Sequence, residues 1–303
     1  MDKADIAALF ALGAALFIAV GDVIHQRSAH EDPDENLSHV ALFLKLLKDT
    51  GWWIGSLVSA VGFVFQAAAL GLGSVLLVQA LLVTSLLFAL PINAWFSHRR
   101  VTRWEWTWAA LLAASVAVIV TVGNPTAGQS RASLGTWGLV AAVLGPLIVA
   151  AVIAASFWAG PGAAVLLAFV SGALWGVFAV LTKGVVDILD DGIVALLRSP
   201  ELYLWAAVGV AGTAWQQSSF RAGSLTASLP TMTVTEPIVG SILGIVVLGE
   251  MLRPGETGLF VLIAAIAVMV ASTAMLARGE AAAQPATEPA VTITDTHQEP
   301  SGR

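Results

Sequence analysis

Two long stretches without a charged side chain constrain the fold of this chain more than any other feature. Residues 51–97 and 132–182 each run for more than twice the roughly 20 residues that one membrane-spanning helix needs. Each stretch must therefore fold back on itself within a bilayer. Only 11% of the 303 residues are charged, against about a quarter in soluble domains. The sequence predicts an all-α polytopic membrane protein.

Glycine, proline and clustered charges divide the apolar runs and predict nine transmembrane helices. These helices cover residues 6–24, 52–70, 75–96, 104–122, 134–155, 163–183, 202–220, 225–249 and 257–277. Residues 37–48 and 187–197 are too short to cross and lie beside charges, so we expect interfacial or loop helices there. The tail, 279–303, is rich in Ala, Pro, Thr and Glu, which predicts disorder.

The distribution of basic residues predicts the orientation of the protein in the membrane. With nine spans, five Lys and Arg residues fall on the side of the N-terminus and nine on the other, most densely in "SHRRVTR" at residues 97–103. Because cytoplasmic loops are enriched in Lys and Arg, we expect a plasma (inner) membrane protein with its N-terminus outside and its tail in the cytoplasm. Lys183 is expected to snorkel to the outer interface.

Composition also bears on partners and cofactors. A net charge of -6 argues against nucleic acid, so the expected partners are the lipid bilayer and a small-molecule or ion substrate, and a homodimer is left open. The chain has no cysteine, which excludes thiolate metal sites and thiol catalysis. No phosphate-binding loop, H-E-x-x-H or G-x-S-x-G motif is present, so we expect neither an enzyme nor a cofactor.

The second half of the chain repeats the layout of the first. An offset of 150 residues aligns Gly62 with Gly212 and Gln66 with Gln216, and each half reads as four helices. We therefore predict a first repeat at 1–130, a connecting helix within 131–160, a second repeat at 161–278 and the tail. Because four helices return the chain to its starting side and the fifth crosses again, the second repeat enters from the opposite face. Inverted repeats are a common plan of secondary transporters, whose substrate sites lie near mid-membrane between the halves.

Glu236 is predicted close to the middle of the eighth helix. A charged side chain there costs roughly 3 kcal/mol on insertion scales, so such residues usually face a cavity or a partner. Gly240 and Gly244 share its helix face and suit close packing. Pro237 lacks an N–H and frees a carbonyl near Thr233, so a helix break is predicted there. Glu236 is interpreted as a proton or cation acceptor, as a contact for a cationic group, or as a structural acid that pairs two helices.

Three further polar residues are candidates for the same site. Asp22, near the inner end of the first helix, is interpreted either as an ion or proton gate or as an interfacial residue paired with Arg27. Gln66 and Gln216 are equivalent under the repeat, and each must hydrogen-bond within the membrane. They are interpreted either as substrate contacts or as interhelical structure.

The closing helices resemble those of a known superfamily. "ASLPTMTVTEPIVGSILGIVVLGEML" is similar to EamA-type repeats of the drug/metabolite transporter superfamily, which carry a Pro, then E-P, then G-E at the helix end. These positions are Pro230, Glu236, Pro237, Gly249 and Glu250. The resemblance implies a transporter that moves a small solute by alternating access.

The first half matches this family only in layout. Arg100 stands where Glu250 does, and Leu86 and Leu87 stand where Glu236 and Pro237 do. EamA-type members usually have ten helices, whereas the count of nine is more similar to the NIPA-type branch, which is associated with magnesium transport.

Three hypotheses follow for the function. The first is a secondary transporter coupled through Glu236, with Asp22, Gln66, Gln216 and Thr233 lining its site. The second is a magnesium or other divalent-cation transporter in which Glu236 binds the metal. The third is a non-transporting membrane scaffold or lipid-handling protein.

Overall fold

The computed structural model describes residues 2–30, 50–96, 100–158, 160–222, 225–255 and 258–283. The predicted interfacial helix at 37–48 and the tail from residue 284 lie outside these residues. Every regular element of the described part is an α-helix, which confirms the predicted fold class.

Eleven helices follow one another along the described chain. They are α1 Lys3–His30, α2 Thr50–Leu72, α3 Val75–Leu82, α4 Ser85–Phe96, α5 Arg103–Gly123, α6 Leu134–Phe157, α7 Pro161–Asp190, α8 Ile193–Arg198, α9 Pro200–Ala222, α10 Leu225–Leu248 and α11 Gly258–Ala283.

Eight spans among the described residues are long and apolar enough to cross a membrane. The joined pair α3 and α4 forms one of them, and α1, α2, α5, α6, α7, α10 and α11 supply the others. The protein is thus a multi-pass membrane protein. The predicted helix 202–220 corresponds to α9, whose 23 residues are long enough to cross but more polar than the other eight spans.

Two other predicted boundaries differ from the structure. The segment predicted as one interfacial helix, 187–197, is divided, because α7 continues to Asp190 and Gly192 separates it from α8. The last helix, predicted to end at residue 277, extends as α11 to Ala283.

Glycines bring the first helices of each half against their neighbours. On α1, a methyl group added to Gly13 would lie 2.7 Å from the ring of Phe65 on the antiparallel α2. On α7, methyl groups at Gly172 and Gly176 would lie 2.8 Å from the side chain of Thr235 and the backbone nitrogen of Gly240 on α10. α7 and α10 are therefore parallel and nearly in backbone contact.

α9 runs antiparallel to α7 along most of its length. Near its start, the indole N–H of Trp205 donates to the Thr182 hydroxyl at 3.0 Å, and further along, the Ser171 hydroxyl donates to the Gly212 carbonyl at 3.0 Å. The polar α9 is therefore packed beside a buried transmembrane helix rather than folded across the surface.

Several helices meet at one end of the bundle, which we call the Glu250 end. α2 ends there at Leu72, α5 at Gly123 and α10 at Leu248. The start of α1 is also there, because a methyl group on Gly73 would lie 2.7 Å from Cβ of Ala7. Backbone bonds tie the connections together, with Thr126 N–H donating to the Met251 carbonyl at 2.9 Å and Arg253 N–H to the Gly123 carbonyl at 2.8 Å.

Candidate functional site

Glu236 lies in the middle of α10 and is half-buried. It precedes the end of the helix at Leu248 by twelve residues, which is about 18 Å at 1.5 Å per residue. Methyl groups on Gly172 and Gly176 would lie 3.2 Å from its backbone nitrogen and 2.9 Å from its carbonyl oxygen. The close approach of α7 therefore fixes the backbone that presents the Glu236 carboxyl group.

The predicted small-residue face of α10 packs on α3. A methyl group on Gly244 would lie 3.4 Å from Cβ of Val75, and one on Gly240 would lie 2.6 Å from Nε2 of Gln79. The two helices are antiparallel in this register. The same register, continued by one helical turn, places Glu236 level with Val83.

A break between α3 and α4 occurs at that level. Val83 and Thr84 form a turn, and the Thr84 N–H donates to the Leu81 carbonyl at 3.0 Å instead of continuing the α-helical pattern. Sequence reasoning treated 75–96 as one helix and missed this break. The adjacent Thr84 and Ser85, which compete for backbone hydrogen bonds, were the available signal.

Pro237 disturbs α10 at the equivalent position in the second half. Proline has no N–H to donate, so the carbonyl of Thr233 loses its usual helical donor. The helix nevertheless continues through Pro237. The predicted break is therefore only the loss of one backbone hydrogen bond, the one to the Thr233 carbonyl. The Thr233 hydroxyl donates to the Leu229 carbonyl at 2.8 Å. The predicted 150-residue offset aligns Thr233 with Val83, where α3 ends.

Asp22 lies on α1, near the end of its apolar span that is far from the Glu250 end. It follows Ala7 by fifteen residues, so it lies about 22 Å from the Glu250 end, compared with about 18 Å for Glu236. Its side chain is exposed although it lies within the span. α1 packs mainly on α2, α3 and α4, while α10 packs mainly on α7, α11 and α3. The two acids therefore belong to helices of different halves that share α3 as a neighbour.

The glutamines predicted for the site take different surroundings. Gln216 is half-buried and its Oε1 accepts a hydrogen bond from Trp175 Nε1 at 3.3 Å, which joins α9 to α7. This contact supports the interhelical interpretation of Gln216. Gln66 is buried on α2, with 9% of its surface exposed. Within the described residues, neither glutamine makes a recorded contact with Asp22 or Glu236.

Gln79 is a buried polar residue to which sequence reasoning gave little weight. Only 1% of its surface is exposed, and within the described part of the chain its Nε2 has no hydrogen-bond partner. It lies against Gly240, one turn beyond Glu236. A buried amide donor without a partner among the described residues thus lies between α3 and α10, one turn from Glu236.

A buried ion pair at the Glu250 end corrects the prediction for Lys183. Lys183 does not snorkel to the interface, because it is only 4% exposed and its Nζ lies 3.0 Å from Glu250 Oε1. Nζ also donates to the Gly73 carbonyl at 2.6 Å. The Glu250 carboxylate accepts the backbone N–H groups of Val75 at 2.7 Å and Leu76 at 3.0 Å, and so caps the N-terminus of α3. Gly249 and Glu250, which match the G-E of the EamA-type pattern, are therefore part of a contact between helices.

Gly249 allows this arrangement through its backbone conformation. Its φ of +67° is strained for residues with a side chain but accessible to glycine. The turn ends α10 and directs Glu250 back towards α3.

A second ion pair lies at the same end but near the surface. Arg131 Nη2 and Glu201 Oε1 are 2.8 Å apart, and 42% and 13% of their side chains are exposed. The hydrogen bond to Glu201 raises the pKa of Arg131 above its usual range. Burial alone would raise the pKa of Glu201, but the hydrogen bond and charge of Arg131 outweigh it and lower that pKa below 4.5.

The described residues contain no group of three or more His, Asp or Glu side chains placed to hold a metal ion. Asp22 and Glu236 are therefore the only acids that the structure brings to the candidate site within those residues. The magnesium hypothesis gains no ligand set from this geometry.

Comparison with known proteins identifies a relative of this chain but no activity. The chain is 36% identical over 274 residues to an uncharacterized protein of Corynebacterium glutamicum, a match that covers 90% of this chain and 95% of that protein. The chain belongs to the family of this corynebacterial protein. No protein-family model matches it, and no solved structure does. Because the relative is uncharacterized, the function must be argued from the site.

Proposed function

We propose that this protein is a secondary transporter of the drug/metabolite type, which moves a small solute across the plasma membrane by alternating access. The observation that carries the proposal is the position of Glu236, a half-buried carboxyl group in the middle of the apolar α10, which packs on α7 of its own half and on α3 of the other. Carboxyl groups are expensive inside a bilayer and persist there where they serve a partner, an ion or a substrate.

The interrupted helices support the same location for the substrate site. Transporters often bind substrate where discontinuous helices of two repeats meet, because freed backbone groups can face a cavity. Here the turn at Val83 and Thr84 lies level with Glu236, and the carbonyl of Thr233 is freed by Pro237. A substrate between the halves would meet two carboxyl groups and unpaired backbone oxygen.

The order of the helices supports two inverted repeats with nine crossings. α1 begins at the Glu250 end, whereas α7, its counterpart, runs towards that end and reaches it at Lys183. Each packs on the next long helix in antiparallel fashion, α1 on α2 and α7 on α9. We count α9 as the ninth span because it follows α7 across the bundle and is bonded to it through Trp205 and Gln216.

The distribution of charge favours a cytoplasmic location for the end opposite Glu250. Arg100 and Arg103 lie where α4 ends and α5 begins, at that opposite end, and positively charged connections face the cytoplasm. The exposed Asp22 lies closer to this end. We therefore infer that the structure represents a state open to the cytoplasm.

Glu236 is assigned the central role in transport. It lies between the α7–α10 contact and the half that contains Asp22. Binding of a proton, ion or cationic substrate at its carboxyl group would therefore change the electrostatic interaction between the halves. Binding at Glu236 drives the change between the two conformations of alternating access only if the ligand binds one conformation more tightly than the other.

The proposal is tested first by finding a ligand. Purified protein is screened by thermal shift against metabolites, organic cations and Mg²⁺, and any ligand that raises the midpoint is tested again on Glu236→Gln. Glu201→Gln, the same change at a glutamate outside the site, is the matched control. We expect the stabilisation to disappear in Glu236→Gln and to remain in Glu201→Gln.

Transport of that ligand into proteoliposomes then tests the mechanism. We expect uptake to depend on an ion or pH gradient and Glu236→Gln to abolish this dependence. Unchanged gradient dependence in Glu236→Gln would exclude the coupling role. Stabilisation by Mg²⁺ that both Asp22→Asn and Glu236→Gln remove would instead favour the divalent-cation alternative.

A further inference from the structure

The buried ion pair at the Glu250 end joins the two halves of the protein. We propose that Lys183 and Glu250 form the gate that closes this end of the transport path, and that the pair separates when the site opens to that side. The inference rests on the proposed alternating-access function, and it assigns a role to charged residues that the substrate site does not use.

The contacts of the pair cross from one half to the other. Lys183 and Glu250 belong to α7 and to the residues after α10, whereas Gly73, Val75 and Leu76 belong to the first half. Lys183 Nζ reaches Glu250 at 3.0 Å and the Gly73 carbonyl at 2.6 Å, and Glu250 receives two N–H groups from α3. Movement of one half against the other at this end must break these bonds together.

The chemistry of the pair suits a contact that opens and closes. Removing two charges from water is costly, and their mutual attraction with good hydrogen bonding offsets much of that cost. When the halves separate, water can hydrate Lys183, Glu250 and the exposed N–H groups of α3 at the same time. The closed and open arrangements can therefore be close in free energy, whereas an apolar seal of the same area would strongly favour closure.

The 150-residue offset between the predicted repeats places Arg100 at the position of Glu250, so the first half does not repeat this acid. We expect the protein to rest with the Glu250 end closed, where the buried pair is formed. The exposure of Asp22 and the 1% exposure of Glu250 agree with such a resting state.

The backbone connections at this end reinforce the gate. The Gln129 N–H donates to the Leu248 carbonyl at 2.7 Å, and Thr126 and Met251 form an antiparallel bridge. These bonds link the segment after α5 to the segment after α10. Because the segment after α5 belongs to the first half, these backbone bonds also cross between the halves and must open, or move with α10, when the pair separates.

Accessibility of a single cysteine tests the gate without knowledge of the substrate. The chain has no cysteine, so Thr233→Cys introduces the only thiol at the depth of the site. Labelling by a membrane-impermeant maleimide is measured from each side separately, in right-side-out and inside-out vesicles. With the gate intact, we expect labelling from the end opposite Glu250 only.

Substitutions that should open the gate are then combined with Thr233→Cys in the same chain. We expect Glu250→Gln and Lys183→Met each to raise labelling from the Glu250 end by about tenfold, which corresponds to ~1.4 kcal/mol in the closed–open equilibrium. The double variant leaves no unpaired charge, so its increase should be smaller than that of either single variant. Arg131→Gln, which breaks the exposed ion pair at the same end, should leave labelling unchanged.

Monodisperse elution from a size-exclusion column and the thermal midpoint show whether each variant folds. If Glu250→Gln does not fold, Lys183→Met provides the test of the gate. If both folded single variants label from the Glu250 end as slowly as the parent, the pair is a permanent structural link and the gate is wrong. A double variant that labels as fast as the faster single variant would also overturn it. Equal labelling of the parent from both sides would instead overturn the alternating-access proposal itself.

Discussion

At the scale of residues, the protein contains acids of two kinds within its membrane domain. Glu250 is enclosed and receives two N–H groups and a lysine, so its charge is compensated inside the protein. Glu236 and Asp22 have accessible surface, and among the residues whose side chains are described neither forms an ion pair. Compensation makes Glu250 structural, whereas we propose that Glu236 serves to bind a proton, an ion or a substrate.

The Arg131–Glu201 pair makes a prediction about pH. Because the folded protein lowers the pKa of Glu201 below 4.5, the pair stabilises the protein fully above that pH and loses its effect as pH falls through the folded pKa. Both groups are partly exposed, so the contribution is about 0.2–1 kcal/mol. We expect the thermal midpoint of Glu201→Gln to lie below that of the parent at pH 7, and the difference to shrink as the pH is lowered until Glu201 is protonated in the folded protein. A difference that stays equal throughout this acidification would contradict this assignment.

The sequence could identify some of these residues but not their partners. Glu236 stands out because an acid interrupts a long apolar run, and that signal needs no structure. Lys183 and Glu250 are 67 residues apart and have no common motif, so their pairing depends on how α7 and α10 pack. Snorkelling was the reasonable expectation for a lysine at a predicted helix end, but a nearby carboxylate made burial favourable.

At the scale of elements, glycines decide which helices approach closely. α7 contacts α10 through Gly172 and Gly176, four residues apart and therefore on one face. Without a hydrophobic driving force between helices in lipid, such small residues allow the packing that stabilises the pair. The contact also determines where the Glu236 backbone lies.

A matched pair of glycine substitutions tests this contact. A methyl group at Gly176 would lie 2.8–3.0 Å from the backbone of Gly240 and Glu236 and from Cβ of Val239, none of which can rotate away. We expect Gly176→Ala to destabilise the protein by about 1–3 kcal/mol. Gly138 on α6 has nothing within 4 Å of an added methyl group, so Gly138→Ala should be neutral or stabilising by up to about 1 kcal/mol. Thermal midpoints in detergent measure both, and equal effects would show that the α7–α10 contact adapts.

Helices were easier to predict than their interruptions. Apolar length, divided at glycine, proline and charged residues, located all eight spans that are long and apolar enough to cross. The turn at Val83 and Thr84 is marked by no glycine or proline, and its signal in the sequence is limited to the adjacent Thr84 and Ser85. The polarity of α9 reflects its side-chain bonds to α7, such as Gln216 to Trp175, which a hydropathy profile cannot show.

At the scale of the whole molecule, the two proposed repeats share a helix layout and differ in chemistry. Glu236 has no acid at its counterpart, Leu86, and Arg100 stands where Glu250 does. In an inverted-repeat transporter, a pseudo-symmetric scaffold would provide two arrangements of similar energy, and one-sided groups would determine which arrangement is occupied. In the proposed mechanism, the ion pair favours closure of one end and the carboxyl groups respond to the ligand.

The number of crossings makes the last prediction. If α9 crosses the membrane, the chain has nine spans, and its ends lie on opposite sides; with eight spans they would lie on the same side. α1 begins at the Glu250 end, and α11 starts there too, because a methyl group on Gly258 would lie 3.1 Å from the Val122 side chain. α11 is about 39 Å long, so it ends at the opposite side.

Lys3→Cys should therefore be labelled by an impermeant maleimide on intact cells, and Ser301→Cys only after permeabilisation. Ser272→Cys, at a site with no exposed surface, is the control that should stay unlabelled in both conditions, and labelling of both terminal variants under the same condition would remove α9 from the spans.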